Sequence, residues 1–247
     1  MVETVNADKP SRQTPPRMVG DADIELLSEI AERVLAGTPV LEIGPFLGGV
    51  SVELARVGPL DVIDRFVWTE ANAAAYPDLL APGASFRQVL EANLAAHGRT
   101  ATVVEADYRT ASPPGGPYGL CFVDAPRTAD DLARGLARLA PALTDDAHIL
   151  LKHGLSQAHP ALTALVEVLL GLEVVELAPT EQPPWCTIAV LRPGRAVQRA
   201  GRLPAPDRLL AERPVSTDLA DPWGGSTFQL ARVAERLIAQ LALQPLP

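Results

Sequence analysis

The segment VLEIGPFLGGVSVELA, from Val40 to Ala55, runs from a buried-strand pattern through a glycine-bearing turn into a helical pattern, with Glu42 just ahead of the turn. Gly44 lets the chain leave the strand sharply, while Gly48 and Gly49 allow backbone to approach a ligand and leave amides free at the helix start. Such a turn suits a nucleoside-bearing ligand. No lysine follows the glycines, so the turn is not the phosphate cradle GxxxxGK[ST], and it does not spell GxGxxG either. A second acid, Asp64, closes the run LDVIDRF, where a carboxylate can accept both hydroxyls of a ribose. A third, Asp107, closes VVEADYR and can accept from an adenine amino group, with Tyr108 supplying an adjacent face. Taken singly, each acid is equally a solvated residue just past a strand. It is their joint order that points to ligand binding.

These residues need strands that end at one rim. Apolar runs at Pro39 to Gly44, Leu60 to Phe66, Thr100 to Asp107, Tyr118 to Ala125 and Ala147 to His153 alternate with helical patterns at Val50 to Val57, Ser85 to His97, Thr128 to Leu139 and Pro160 to Leu170. The alternation predicts an α/β fold with a mostly parallel sheet covered on both faces. Two further runs, Leu172 to Leu177 and Cys186 to Leu191, have only a turn-rich segment between them and should pair antiparallel at one edge. Ahead of the sheet, Asp21 or Asp23 should cap a helix bearing Ile24, Leu27, Ile30, Ala31 and Val34. We divide the chain into a flexible, loosely docked arm (1–20, with Pro10, Pro15 and Pro16), a domain (21–192) and an extension (193–247). The extension carries a helix from Ser226, whose apolar face either packs on the domain or makes a homodimer.

Composition narrows the partners. The chain of 247 residues has a net charge of −9, which repels nucleic acid and anionic membrane, so a small-molecule substrate is favoured. No apolar run is long enough to span a membrane, and the N-terminus lacks a signal-peptide pattern, so a cytoplasmic location is expected. Cys121 and Cys186 sit singly in apolar runs and read as small core residues.

The turn Glu42, Gly44, Gly48, followed by Asp64 and Asp107, resembles the cofactor motifs of Rossmann-like S-adenosylmethionine-dependent methyltransferases in order and spacing, over about residues 21 to 192. The runs VIDRFVW, EANLAAHG, VVEADYRTA and YGLCFVDAPRTADDLARGLARLAPAL look most like macrocin-type O-methyltransferases of natural-product biosynthesis. The resemblance makes 21–192 a methyltransferase-like domain and implies a seven-stranded sheet of order 3-2-1-4-5-7-6 and S-adenosylmethionine as cofactor. It assigns Glu42 to the methionine end, Asp64 to the ribose and Asp107 to the adenine.

That family holds a divalent metal on acids after its fourth and fifth strands, and here the pattern departs. Asp124 is kept, but Pro126, Arg127, Lys152 and His153 occupy the other positions, and cations repel a hard metal. We therefore expect no metal. His153 can instead take the proton of a substrate hydroxyl, with Asp124 holding the imidazole or the substrate. Lys152 and Arg127 can pair with Asp124 or with a substrate anion. The alternative is a structural ion-pair cluster with His153 capping a turn. Trp68, Tyr76, Trp185 and Trp223 are either a lid over the substrate or core anchors. Two other functions fit the same residues: a methyltransferase-like protein turned to a non-methylating cyclisation, elimination or rearrangement, and a non-catalytic partner protein.

Overall fold

The structure, a computed structural model, describes residues 15–156, 158–171, 173–180 and 186–195. The helix expected from Ser226, with Trp185 and Trp223, lies outside the described residues. Seven strands form one sheet: β1 (Val40–Ile43), β2 (Leu60–Asp64), β3 (Thr102–Glu105), β4 (Tyr118–Val123), β5 (Leu143–Leu151), β6 (Val175–Leu177) and β7 (Ala189–Pro193). Their order is β3-β2-β1-β4-β5-β7-β6, as the resemblance implied, with β7 antiparallel to both neighbours and the other pairings parallel. The helices are α1 (Asp21–Arg33), α2 (Ser51–Leu54), α3 (Glu70–Ala75), α4 (Arg87–Ala96), α5 (Ala129–Leu139) and α6 (Pro160–Gly171). Among the described residues none is long and apolar enough to cross a membrane.

Alternation along β1 divides the core. Leu41 and Ile43 pack with Leu132, Leu136 and Leu139 of α5 and Leu162 and Leu169 of α6, whereas Val40 packs with Leu26, Leu27 and Ile30 of α1 and Leu90 and Leu94 of α4. Glu42 shares the face of Val40, so an acid stands where packing asks for an apolar side chain. Strand register then sets the rim. Ile43 lies opposite Ile63 on one side and Val123 on the other, so Gly44, Asp64 and Asp124 emerge at one level. This is where the strand order reverses and neighbouring loops diverge, leaving a crevice.

Several expected boundaries move. β5 starts at Leu143, four residues before the apolar run, because its polar Thr144, Asp145 and Asp146 lie on the less buried end of the strand. α2 is one turn long, and α3 was not anticipated, being a short helix without a buried residue, capped by the Thr69 hydroxyl accepting from the Asn72 amide. Gly20 occupies the N-cap position of α1 without a side-chain bond, so neither Asp21 nor Asp23 is the cap. Asp23 is buried and bonded elsewhere.

Candidate functional site

The three glycines of the turn all have close neighbours, and each neighbour is protein. Gly44 adopts φ +86°, and a Cβ there would come within 2.9 Å of the Ala125 amide nitrogen, so β1 exits tightly against the loop after β4. Gly48, at φ +92°, abuts Leu90 Cδ1 of α4 at 2.8 Å by the same measure. Gly49 receives the N-terminal arm, with Pro15 O 2.7 Å and Pro16 O 2.9 Å from where a Cβ would stand. On the side where a Cβ would stand, Gly48 and Gly49 are thus packed against the chain itself. Between Gly44 and Gly48, Phe46 takes φ +49° and stacks on Trp68 at 5.6 Å, with Tyr76 also at 5.6 Å. Trp68 is fully buried and anchors this cluster, so it is no part of a lid.

Glu42 is the most unusual side chain in the site. It is fully buried, and neither carboxyl oxygen has a hydrogen-bond partner among the described residues. Burial pushes its pKa up to about 8; the Ser51 hydroxyl pulls the other way, and the negative charges of Asp124 and Asp64 add smaller upward pushes. The hydroxyl stops short of hydrogen-bond geometry, for Ser51 Oγ is itself unpartnered. A buried unpaired carboxylate costs several kcal/mol, so the group stays protonated at neutral pH until a cation completes it. Glu42 lines a narrow cleft together with Gly44, Asp124 and Arg17.

Asp64 and Asp107 follow along the rim. Asp64 Oδ1 accepts from the Phe66 amide at 2.6 Å, which orients the carboxylate, and burial raises its pKa, with the Phe66 and Arg65 backbone and the charges of Arg65 and Arg127 opposing the rise. Asp107 is already engaged: Arg109 Nη2 donates to Oδ2 at 2.5 Å and Nε to Oδ1 at 2.9 Å, and Arg109 also reaches Asp131 at 3.0 Å. The bonds from Arg109 hold the Asp107 pKa down at about 2. Any adenine amino group would meet a carboxylate fixed in place. Tyr108 turns its ring onto α5, where a Cβ at Gly135 would lie 3.0 Å from it, so one of its faces is covered by protein.

Across the rim, Asp124 and His153 come together. His153 Nε2 stands 3.7 Å from Asp124 Oδ1, within ion-pair range and too long for a hydrogen bond. Burial raises Asp124 to about 6, partly offset by Arg127, which donates to its backbone carbonyl and lies 3.4 Å from Oδ1. His153 adopts φ +66°, a region that non-glycine residues seldom use, and its ring sits 4.1 Å from that of His159. Burial, with the charge of Lys152 and the neighbouring His159 and Arg127, lowers its pKa to about 4. The imidazole is therefore a proton acceptor throughout the neutral range, though a weak one.

Lys152 does not join this group. Its Nζ donates to Asp23 Oδ2 at 2.6 Å and Thr187 Oγ1 at 2.7 Å, and the pair is almost completely buried. Asp23 Oδ1 accepts from the Thr187 amide at 2.7 Å and from the Cys186 thiol at 3.2 Å. Burial alone would raise the Asp23 pKa, but these bonds outweigh it and the value is lowered. The expected pairing of Lys152 with Asp124 or a substrate anion is replaced by a clamp joining α1, the end of β5 and the approach to β7. Cys186 is accordingly a half-buried thiol on that clamp, unlike the buried Cys121. Thr187 carried no sequence signal and Asp23 read only as a helix cap, since their partners are set by the fold. Among the described residues, no three His, Cys, Asp or Glu side chains converge as a metal's donor set.

No protein-family model matches the chain, and no curated protein matches its sequence. Among solved structures, the O-methyltransferase TomG from Streptomyces achromogenes, involved in tomaymycin synthesis and in complex with S-adenosylmethionine, aligns with a TM-score of 0.51 at 20% identity, over 71% of this chain and 81% of its own. The calicheamicin TDP-rhamnose 3'-O-methyltransferase CalS11 gives 0.49 at 18% identity, over 70% and 81%. The ribosomal protein L11 methylase of Lactobacillus delbrueckii subsp. bulgaricus gives 0.48 at 12%, over 71% and 80%. With its strand order and antiparallel β7, the chain has the class I fold of S-adenosylmethionine-dependent methyltransferases.

Proposed function

We propose that this chain binds S-adenosylmethionine at the rim of β1, β2 and β3 and methylates a hydroxyl group of a small molecule, without a metal. The observation that carries the reading is Glu42, a fully buried acid with both oxygens open, beside a glycine turn at the reversal of strand order. An ammonium group completes such an acid. In this reading Asp64, oriented by the Phe66 amide, accepts from the ribose hydroxyls, and Asp107, held by Arg109, accepts from the adenine amino group. The complex of TomG with the same cofactor supports the binding, and its O-methyltransferase activity supports a hydroxyl acceptor. The macrocin-like runs point to a natural-product or glycosylated substrate met in the cytoplasm.

When bound, the cofactor supplies a methyl group already activated on a sulfonium, so positioning provides most of the acceleration. His153 takes the hydroxyl proton on the side of the rim facing Asp124, and Asp124 steadies the imidazole or the substrate hydroxyl. The low basicity of His153 favours one other reading, a fold of this class turned to a non-methylating rearrangement, and the mass of the product separates the two. Calorimetric titration with S-adenosylhomocysteine tests the cofactor. Asp64→Ala should lose about 1.5–3 kcal/mol of binding, the range for charge-assisted hydrogen bonds. No binding by the intact chain, or full binding by the variant, refutes the assignment.

A further inference from the structure

The N-terminal arm closes over Glu42. Pro15 and Val19 are buried, and Arg17, Met18 and Val19 line the same cleft as Glu42, Gly44 and Asp124. With the arm in place the cleft has room for about one water molecule. Nothing larger reaches the buried carboxyl. The seat of the arm is Gly49, for the carbonyl oxygens of Pro15 and Pro16 and the Cβ of Arg17 all lie 2.7–2.9 Å from where a Cβ would stand. Gly49 lies outside the positive-φ region that Gly44 and Gly48 occupy, so an alanine would suit the local backbone and meet only the arm.

Packing, and not hydrogen bonding, holds the arm down. Among the described residues the only hydrogen bond from residues 15–19 is that of Arg17 Nη2 to Asp21 Oδ1 at 2.6 Å, and the Asp21 side chain is 90% exposed, where solvent screens the pair. A segment with no hydrogen bond into the sheet opens at a small fraction of the free energy of global unfolding. Pro15 and Pro16 limit the backbone freedom that the arm gains on lifting, which favours its return. Resting on the cofactor reading above, we infer that residues 15–19 are a gate: seated on Gly49 the arm occludes Glu42, and a ligand enters only after it lifts. Binding then draws on the fraction of chains whose arm is raised, and that fraction scales down both the apparent affinity and the rate of entry.

Two variants loosen the arm at different points. Gly49→Ala sets a methyl group against Pro15 and Pro16, and Val19→Ser removes the apolar anchor at the other end without touching the glycine turn. Trypsin cleavage after Arg17, followed by mass spectrometry, reads the lifting of the arm, and stopped-flow mixing with S-adenosylhomocysteine reads entry. Both variants should be cut after Arg17 at least fivefold faster than the intact chain and should take up S-adenosylhomocysteine at least fivefold faster. Faster cleavage with unchanged uptake would mean that the arm does not control entry, and weaker binding in both variants would make it part of the wall that holds the ligand. Unchanged cleavage would mean that neither Gly49 nor Val19 holds the arm. Each of these overturns the gate. If cleavage accelerates while neither the intact chain nor either variant binds S-adenosylhomocysteine, the cofactor reading fails and the gate falls with it.

Discussion

Replacing Glu42 by glutamine should make the protein more stable, and by an amount that grows with pH. The ordinary carboxyl value is 4.5 and the folded value is about 8, so between these limits the folded chain keeps a proton that the unfolded chain releases. The unfolded state then binds fewer protons, and stability falls as pH rises. Each pH unit across the window is worth about 1.4 kcal/mol. The carboxyl therefore subtracts less than about 1 kcal/mol at pH 5 and about 4 kcal/mol at pH 8. Glutamine keeps the shape and does not titrate. Its unpaired amide carries a desolvation cost, but that cost is the same at both pH values and cancels from the comparison. Asp124, raised to about 6, titrates in both proteins and largely cancels too. Urea denaturation followed by the fluorescence of buried Trp68 gives the four stabilities. An advantage of Glu42→Gln that is equal at pH 5 and pH 8 would show that Glu42 is ionised in the folded chain, and the case for an ammonium-completing acid would lose its energetic basis.

Lys152→Met leaves Asp23 charged and buried, so it should cost about 3–5 kcal/mol in chemical denaturation, whereas Asp23→Leu combined with Lys152→Met should cost less. A double variant as unstable as the single one would mean that the pair itself, and not the stranded charge, holds the clamp. His153→Ala, assayed with EDTA present, should lower kcat on the order of a hundredfold with cofactor affinity unchanged. Because the imidazole is lowered to about 4 while Asp124 is raised to about 6, a rate midpoint near pH 6 should belong to Asp124 and vanish in Asp124→Asn, and a midpoint near 6.5 that persists in that variant would contradict the environment described for His153.

What could be read from the sequence was whatever depends on neighbours in the chain. Alternating apolar runs gave six of the strands close to their places, and the glycine turn between β1 and α2 marked the rim. β5 was cut short because the rule that strands of a parallel sheet are apolar fails at a sheet's less covered end, where Thr144 to Asp146 sit. Glu42 was legible as a candidate, but its lack of partners is a property of burial and has no signature in spacing. The partner of Lys152 lies 129 residues away, and that of Gly49 is an arm whose prolines suggested only loose structure. Asp107 shows the remaining limit: the arginine two residues on was visible, yet only the turn of the backbone reveals that it grips both carboxylate oxygens.

The clamp of Asp23, Lys152 and Thr187 has a consequence for synthesis of the chain. Asp23 lies in the first helix, and the amide that bonds it is 164 residues downstream. At roughly 5–20 residues per second, the ribosome delivers that amide on the order of 10–30 s after Asp23 itself. Until Lys152 and then Thr187 have been made, α1 carries an acid without the partners that bury it in the folded chain. The clamp that ties the first helix to the end of β5 and the approach to β7 can therefore close only once all three residues have left the ribosome.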